Sequence, residues 1–125
     1  MGKKSSAGST SQDAVMHLVA SVPIPGVKGD FDHLAYGLKG NRLFLAAEDH
    51  KSVEVFDLNS GKHLQSVAGF ETPHQILYVP ETNNLLVTDS GAEDAKEGYV
   101  RVISGESYKV ADSNQGAGSG RFERL

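Results

Sequence analysis

The sequence predicts an all-β protein, and three observations support this prediction. Apolar and polar residues alternate with a period of two in residues 53–58 and nearly so in 99–103, as in half-buried strands. Residues 43–47 and 85–88 are short, largely apolar runs, which are typical of strands buried on both faces. No segment keeps an amphipathic helical pattern for three turns.

Turn-forming residues divide the chain into strands. Glycine, asparagine, serine and proline cluster near residues 39–41, 59–62, 80–83 and 104–106. The strands predicted between these turns are 31–38, 42–47, 52–58, 62–68, 74–79, 84–89, 98–103 and 107–113, with an additional strand at 17–22.

The predicted strands form two similar units. Residues 33–38 match 74–79 at an offset of 41, residues 41–45 match 83–87 at 42, and residues 53–56 match 100–103 at 47. Four strands that recur about every 40–45 residues are typical of the blades of a β-propeller. We therefore expect two four-stranded antiparallel blades, one at about 31–68 and one at about 74–113. The strand at 17–22 has the character of an outermost blade strand.

Particular motifs carry a family resemblance. Residues 31–35 (FDHLA), 41–47 (NRLFLAA), 52–58 (SVEVFDL) and 60–62 (SGK) are followed by a second set, 73–78 (PHQILY), 83–87 (NNLLV) and 99–103 (YVRVI). Together they resemble the YVTN-type, YncE-like β-propeller repeat over essentially all of residues 16–113. Members of that family close a ring of about seven blades, and the resemblance implies an extracytoplasmic location. It says little about activity, because propellers carry many unrelated functions.

The ends of the chain differ from its middle. Residues 1–15 are small and polar and are expected to be a disordered leader, without the apolar stretch of a signal peptide. Residues 114–125 are expected to be a flexible tail, which leaves residues 16–113 as the folded unit. The 125 residues carry a net charge of −4 and no cysteine. Nucleic-acid binding, membrane insertion and thiolate chemistry are therefore not expected.

Propeller topology would sort the charged residues onto two rims. Loops that enter the first strand of a blade share a rim with loops that join its second and third strands. The predicted ligand-binding residues on that acidic, histidine-containing rim are Asp32, His33, Glu48, Asp49, Glu71, His74 and Asp89. The opposite rim carries Lys39, Arg42 and Lys62.

His33 and His74 have two interpretations. They could contact a metal ion or substrate at the channel mouth, with nearby carboxylates as further ligands or bases. Their equivalent repeat positions favour a structural role instead, because a catalytic centre usually breaks repeat symmetry. The acidic loop at 89–98 lacks the alternating ligand spacing of a calcium loop, and common catalytic motifs are missing. We expect no catalytic residue, no metal ion and no cofactor.

Two functional hypotheses follow. The favoured one is a non-enzymatic binding or scaffold module that presents the acidic rim to a protein, a peptide or a small ligand. The alternative is a metal-dependent, lactonase-like hydrolase with its site at the channel mouth. Two blades would leave apolar end faces in water, so self-association into a ring is expected, with a trimer favoured over a tetramer.

Overall fold

The computed structural model describes residues 15–110 and the backbone of residues 121–122. The all-β prediction is confirmed, because these residues contain strands and turns and no helix, and therefore no helix that could span a membrane. The strands are β1 (Leu34–Gly37), β2 (Arg42–Ala47), β3 (Ser52–Asp57), β4 (Lys62–Val67), β5 (Pro73–Val79), β6 (Asn84–Asp89), β7 (Gly98–Ser104) and β8 (Arg121–Phe122).

The strands form two antiparallel sheets in chain order. The first sheet is β1-β2-β3-β4 and the second is β5-β6-β7-β8. The β1–β2 and β5–β6 turns share one structure, because Asn41 and Asn83 both adopt left-handed backbone conformations, at φ 57° and 56°. The hydroxyls of Tyr36 and Tyr78 donate hydrogen bonds to the side-chain oxygens of these two asparagines, at 3.0 and 2.7 Å. Asparagine tolerates this conformation better than most residues.

The main hydrophobic core lies between the two sheets. The buried side chains at its centre include Phe44, Ala46, Val53, Val55 and Val67 from the first sheet, and Ile76, Leu85, Val87 and Ile103 from the second. Removing these side chains from water stabilises the packing of one sheet on the other by about 25 cal/mol per Å² of apolar surface.

The face of the strand on which a residue lies decides whether its side chain is buried. The pattern of apolar residues in the sequence predicts this burial only in part. The sequence predicts that Val53, Val55, Leu85 and Val87 are buried, and the structure buries them fully. The same prediction for Leu43, Leu45, Val100 and Val102 is wrong in degree, because these four are only half-buried. Since successive side chains on a strand point to opposite faces, Phe44 and Ala46 face the core and their neighbours Leu43 and Leu45 face outward.

The two sheets pack in a head-to-tail manner. Phe44 lies across from Ala35 and Val55, and Leu86 lies across from Leu77 and Val102 in the same pattern. Phe44 and Leu86 are therefore equivalent positions, yet Phe44 is buried between the sheets and Leu86 is on an outer face. By the same register, outward-facing Leu43 in the first sheet is equivalent to buried Leu85 in the second. The face that the first sheet contributes to the shared interface is therefore not equivalent to the face that the second sheet contributes.

The repeat alignment needs one correction. Matching 33–38 with 74–79 at an offset of 41 would pair Tyr36 with Leu77. The structure instead equates Tyr36 with Tyr78, because these residues lie across from Leu43 and Leu85 and make the same turn hydrogen bond. The register of β5 with β6 shifts between Pro73 and Ile76, and this irregularity absorbs the residue of difference.

The predicted strand at 17–22 is not formed in this chain. Its apolar side chains lie largely in solvent, with Leu18 and Val19 86% and 93% exposed. A strand requires a neighbouring backbone for its hydrogen bonds, and this segment has none among the described residues.

The predicted strand at 107–113 is also wrong over its described part. Tyr108 takes a left-handed conformation, and its amide donates to the Ser104 carbonyl at 2.9 Å, so the chain turns back tightly. Only Val110 then bridges to β7, at Ile103. The fourth strand of the second sheet is β8, within the segment expected to be a flexible tail. Residues 1–14, 111–120 and 123–125, which hold the rest of the predicted leader, strand and tail, lie outside the described residues.

Candidate functional site

The segments predicted to form the acidic rim lie at one end of the two sheets. The segment before β1 is held against the end of β2, because the Asp32 amide donates to the Ala46 carbonyl at 2.8 Å and the Ala46 amide donates to the His33 carbonyl at 2.9 Å. The His33 amide also donates to the His74 carbonyl at 3.2 Å. This contact joins the start of the second sheet to the first sheet at the rim.

Asp32 is shared by two imidazoles. Its Oδ1 lies 2.6 Å from His33 Nδ1, and its Oδ2 lies 2.9 Å from His74 Nδ1. The hydrogen bond with His74, followed by that with His33, holds the pKa of Asp32 below its ordinary value against the opposing effect of desolvation. The carboxylate therefore links the two sheets in its ionised form. These contacts agree with a structural role for the histidines and also leave both rings close to one anionic group.

Glu48 lies beside this pair. One ligand atom from each of Asp32, Glu48 and His74 falls within 4.8 Å of the other two. All three residues are half-buried. The Glu48 carboxylate makes no hydrogen bond or ion pair with any of the described residues. We refer to these three residues as the rim triad.

Asp49 and Glu71 make other contacts on the same rim. Asp49 Oδ2 accepts a hydrogen bond from the Asp30 amide at 2.7 Å, which closes the loop over Gly29. A side chain at Gly29 would meet Asp49, and its φ of 97° also favours glycine. Glu71 forms an exposed ion pair with Lys51 at 3.4 Å. Asp49 thus shapes the loop, whereas Glu71 contributes negative charge that faces the solvent.

Asp89 is the buried residue of the predicted set. It accepts hydrogen bonds from the Glu71, Thr72 and Gly91 amides, each at 2.9 Å, and from Arg101 Nε at 2.7 Å. Burial alone would raise the pKa of Asp89, but these donors outweigh it and keep the pKa below its ordinary value. The side chain is fully committed to holding the loop before β5, and it offers no free oxygen to a solvent-borne ligand.

Sequence reasoning missed several partners of these residues. His74 Nε2 lies 3.0 Å from Ser90 Oγ, and Arg101 neutralises Asp89. The alternation around residue 101 held a usable signal for the second contact, because a charged residue within a half-buried strand usually requires an opposite charge nearby. No comparable signal exists for Ser90, which lies in a loop.

Glu54 is a polar position of the alternating pattern at 53–58, yet it is fully buried. The hydroxyls of Ser52 and Ser66 donate to its Oε2, and His63 Nε2 lies 2.7 Å from Oε1. His50 is exposed, and its Nδ1 lies 2.9 Å from Ser52 Oγ. This polar cluster lies on the outer side of the first sheet, and its hydrogen bonds satisfy the carboxylate.

A shallow, open depression of about 200 Å³ adjoins His74. Its lining is formed by His74, Thr88, Asp89, Ser90, Gly98, Tyr99 and Val100. His74 therefore belongs to the rim triad and also lines this depression, so a small group bound in the depression would lie next to the imidazole.

A comparison with curated proteins gives a distant relative. No protein-family model matches the chain, and no solved structure matches it. The chain is similar to a curated protein named "Antigen Lp49" from Leptospira interrogans, with 26% identity over 87 residues. The match covers 68% of this chain and 19% of that protein, so the chain spans about a fifth of the length of this relative.

Proposed function

We propose that this chain is a two-blade β-propeller module that associates head-to-tail with further copies. The resulting ring would present its acidic, histidine-containing rim to a protein, peptide or small ligand. The module acts by binding rather than by catalysis. The packing of its two sheets is the observation that carries this proposal.

The faces left open are complements of each other. The open face of the first sheet carries Leu34, Tyr36, Leu43 and Leu45, whose equivalents in the second sheet are buried or half-buried in the core between the sheets. The open face of the second sheet carries Leu77, Leu86, Val100 and Val102, the equivalents of the first sheet's buried residues. The interface within one chain is therefore a template for an interface between two copies.

Exposure supports this pairing. Leu34 and Leu77 are each 59% exposed although both lie on strands. Continuous apolar surface of this kind is unusual on an isolated soluble domain and marks an interaction surface. A head-to-tail contact that closes by rotation forms a ring, and we propose about three copies with six blades, or alternatively four copies with eight.

The segment at 17–22 has a place in the same assembly. It is apolar and exposed, and the outer edge of β7 at Val100–Val102 has no pairing partner among the described residues. A strand from a neighbouring copy would satisfy the open amides and carbonyls of that edge. We propose that the segment adds to the second sheet of the adjacent copy and thereby closes the ring.

The rim supplies the binding surface. Asp30, Asp32, Glu48, Asp49 and Glu71 all lie in rim segments, and among the described residues Lys51 pairs with Glu71 there. An acidic surface favours ligands that carry positive charge and accelerates their association at low salt. We propose a cationic group on the ligand as the feature that the rim recognises.

Light scattering of the purified chain at micromolar concentration tests the assembly. We expect the mass of a trimer or tetramer, and Leu86→Glu should shift it to a monomer because it places a charge in the open face. Leu38→Glu is the matched control, since Leu38 is exposed in the β1–β2 turn and should leave the mass unchanged. A monomeric wild-type chain would refute self-association.

Calorimetric titration with an oligolysine peptide tests the rim. Binding should weaken in the double variant Glu48→Gln/Glu71→Gln and with added salt. It should be unaffected by Glu106→Gln, because Glu106 is exposed in the turn after β7, away from the rim segments. Equal binding by all three proteins would refute the rim as the binding surface.

A further inference from the structure

We infer that the rim triad of Asp32, Glu48 and His74 is a binding site for a first-row divalent metal ion such as Zn²⁺ or Co²⁺. The inference is independent of self-association and assigns no reaction to the site. It differs from the sequence-based expectation of no metal because it rests on Glu48, whose position relative to the two other side chains only the fold determines.

The three groups have the chemistry of a metal centre with an open position. Imidazole nitrogen and carboxylate oxygen together suit Zn²⁺, which commonly takes three protein ligands and one water molecule or exogenous ligand. Bonds of about 2.0–2.1 Å in a tetrahedron separate ligand atoms by roughly 3.3 Å. His74 Nδ1 and Asp32 Oδ2 are 2.9 Å apart, and the whole triad lies within 4.8 Å, so small side-chain rotations would suffice.

The ligands are oriented by a second set of contacts. A metal ion would replace the proton of the hydrogen bond between His74 Nδ1 and Asp32 Oδ2. His74 Nε2 lies 3.0 Å from Ser90 Oγ, so the ring proton can be donated there while Nδ1 presents its lone pair to the ion. Asp32 Oδ1 lies 2.6 Å from His33 Nδ1, which leaves Oδ2 for the ion. Partners of this kind fix the orientation of metal ligands and strengthen binding.

The charge of the site also favours a cation. Asp32 and Glu48 are two carboxylates in a half-buried setting, and Glu48 has no cationic or donating partner in the described part of the chain. The cations that pair with acidic groups nearby, Lys51 and Arg101, are directed to Glu71 and Asp89. A divalent ion would offset both triad charges at once.

Ion type follows from the ligand set. Ca²⁺ takes six to eight oxygen ligands, and Mg²⁺ prefers an octahedron of oxygens and water molecules. The triad offers one nitrogen and a small number of oxygens, which favours Zn²⁺ and Co²⁺ over both of these ions. Because Asp32 and Glu48 belong to the first sheet and His74 to the second, the ion would also join the two sheets.

Isothermal titration of the chelator-treated full chain with ZnCl₂ tests the site. We expect one ion per chain, and Glu48→Gln should weaken binding about tenfold or more, because it removes an anionic ligand without breaking any hydrogen bond of the described residues. The control Glu71→Gln removes an equal charge from the same rim and should change the affinity by no more than about twofold.

Two further measurements distinguish a built site from diffuse attraction. ZnCl₂ should raise the melting temperature of the wild type and of Glu71→Gln but not of Glu48→Gln. CoCl₂ should give d–d absorption bands that Glu48→Gln alters. Absence of stoichiometric Zn²⁺ binding by the wild type, or equal weakening by Glu48→Gln and Glu71→Gln, would overturn the inference.

Discussion

Replacing Asp89 with asparagine should destabilise the fold more than any other single polar substitution on the rim. The carboxylate accepts four hydrogen bonds, two at each oxygen. Asparagine keeps one acceptor oxygen and places an NH₂ group where the other oxygen was. With the Thr72 and Gly91 amides retained, the new NH₂ would face the Glu71 amide and Arg101 Nε, which are both donors.

The magnitude follows from those two lost contacts. A hydrogen bond to a charged group contributes about 1.5–3 kcal/mol, and a buried charge left without its partner adds to the cost. We therefore expect the free energy of unfolding to fall by about 3–5 kcal/mol. A domain of this size has a total stability of about 5–15 kcal/mol, so the loss is readily measured.

Urea unfolding followed by far-UV circular dichroism and tyrosine fluorescence measures this change. Asp57→Asn is the control, because Asp57 is paired with Arg42 at 2.9 Å but is partly exposed, so its loss should destabilise the fold much less than the loss of Asp89. If Asp89→Asn prevents folding, Arg101→Lys provides a milder test with an expected loss of about 1–2 kcal/mol. A loss below about 1 kcal/mol for Asp89→Asn would refute the reasoning.

Further predictions concern pH, the core and the histidines. Because the folded state holds the pKa of Asp89 below its unfolded value of about 3.9, this group stabilises the fold above that pH. The contribution is lost as the pH falls toward the folded pKa, and acid titration of Asp89→Asn should show a flatter dependence. Phe44→Ala should cost about 3–5 kcal/mol in urea unfolding, since Phe44 fills the space between the sheets; a cost below 1 kcal/mol would contradict that packing. His74→Ala should lower the melting temperature more than His33→Ala. The reason is that His74 joins the two sheets through Asp32, whereas His33 contacts Asp32 within its own segment. A larger fall in melting temperature for His33→Ala would contradict this assignment.

The sequence by itself determined the approximate positions of strands β1 to β7 and their hairpin order. Alternation in β3 and β7, and asparagine at equivalent turn positions, are local properties that a strand and its turn express wherever the sheet packs. The chain therefore forms β2, β3, β6 and β7 close to where the pattern predicts them. The gathering of acidic loops at one end of the sheets follows from the same hairpin order.

Tertiary structure decided which face of each strand is buried and which rim residues meet. Leu43 and Phe44 are both apolar, so composition could not say which faces the other sheet; the register with β3 and the head-to-tail packing settle it. Glu48 and His74 are 26 positions apart in the chain, and no local pattern predicts that their side chains approach Asp32. Burial of Asp89 and Glu54 likewise depends on donors supplied by other strands and loops. Long-range contacts of this kind depend on packing across the whole fold, and local alternation in the sequence does not encode them.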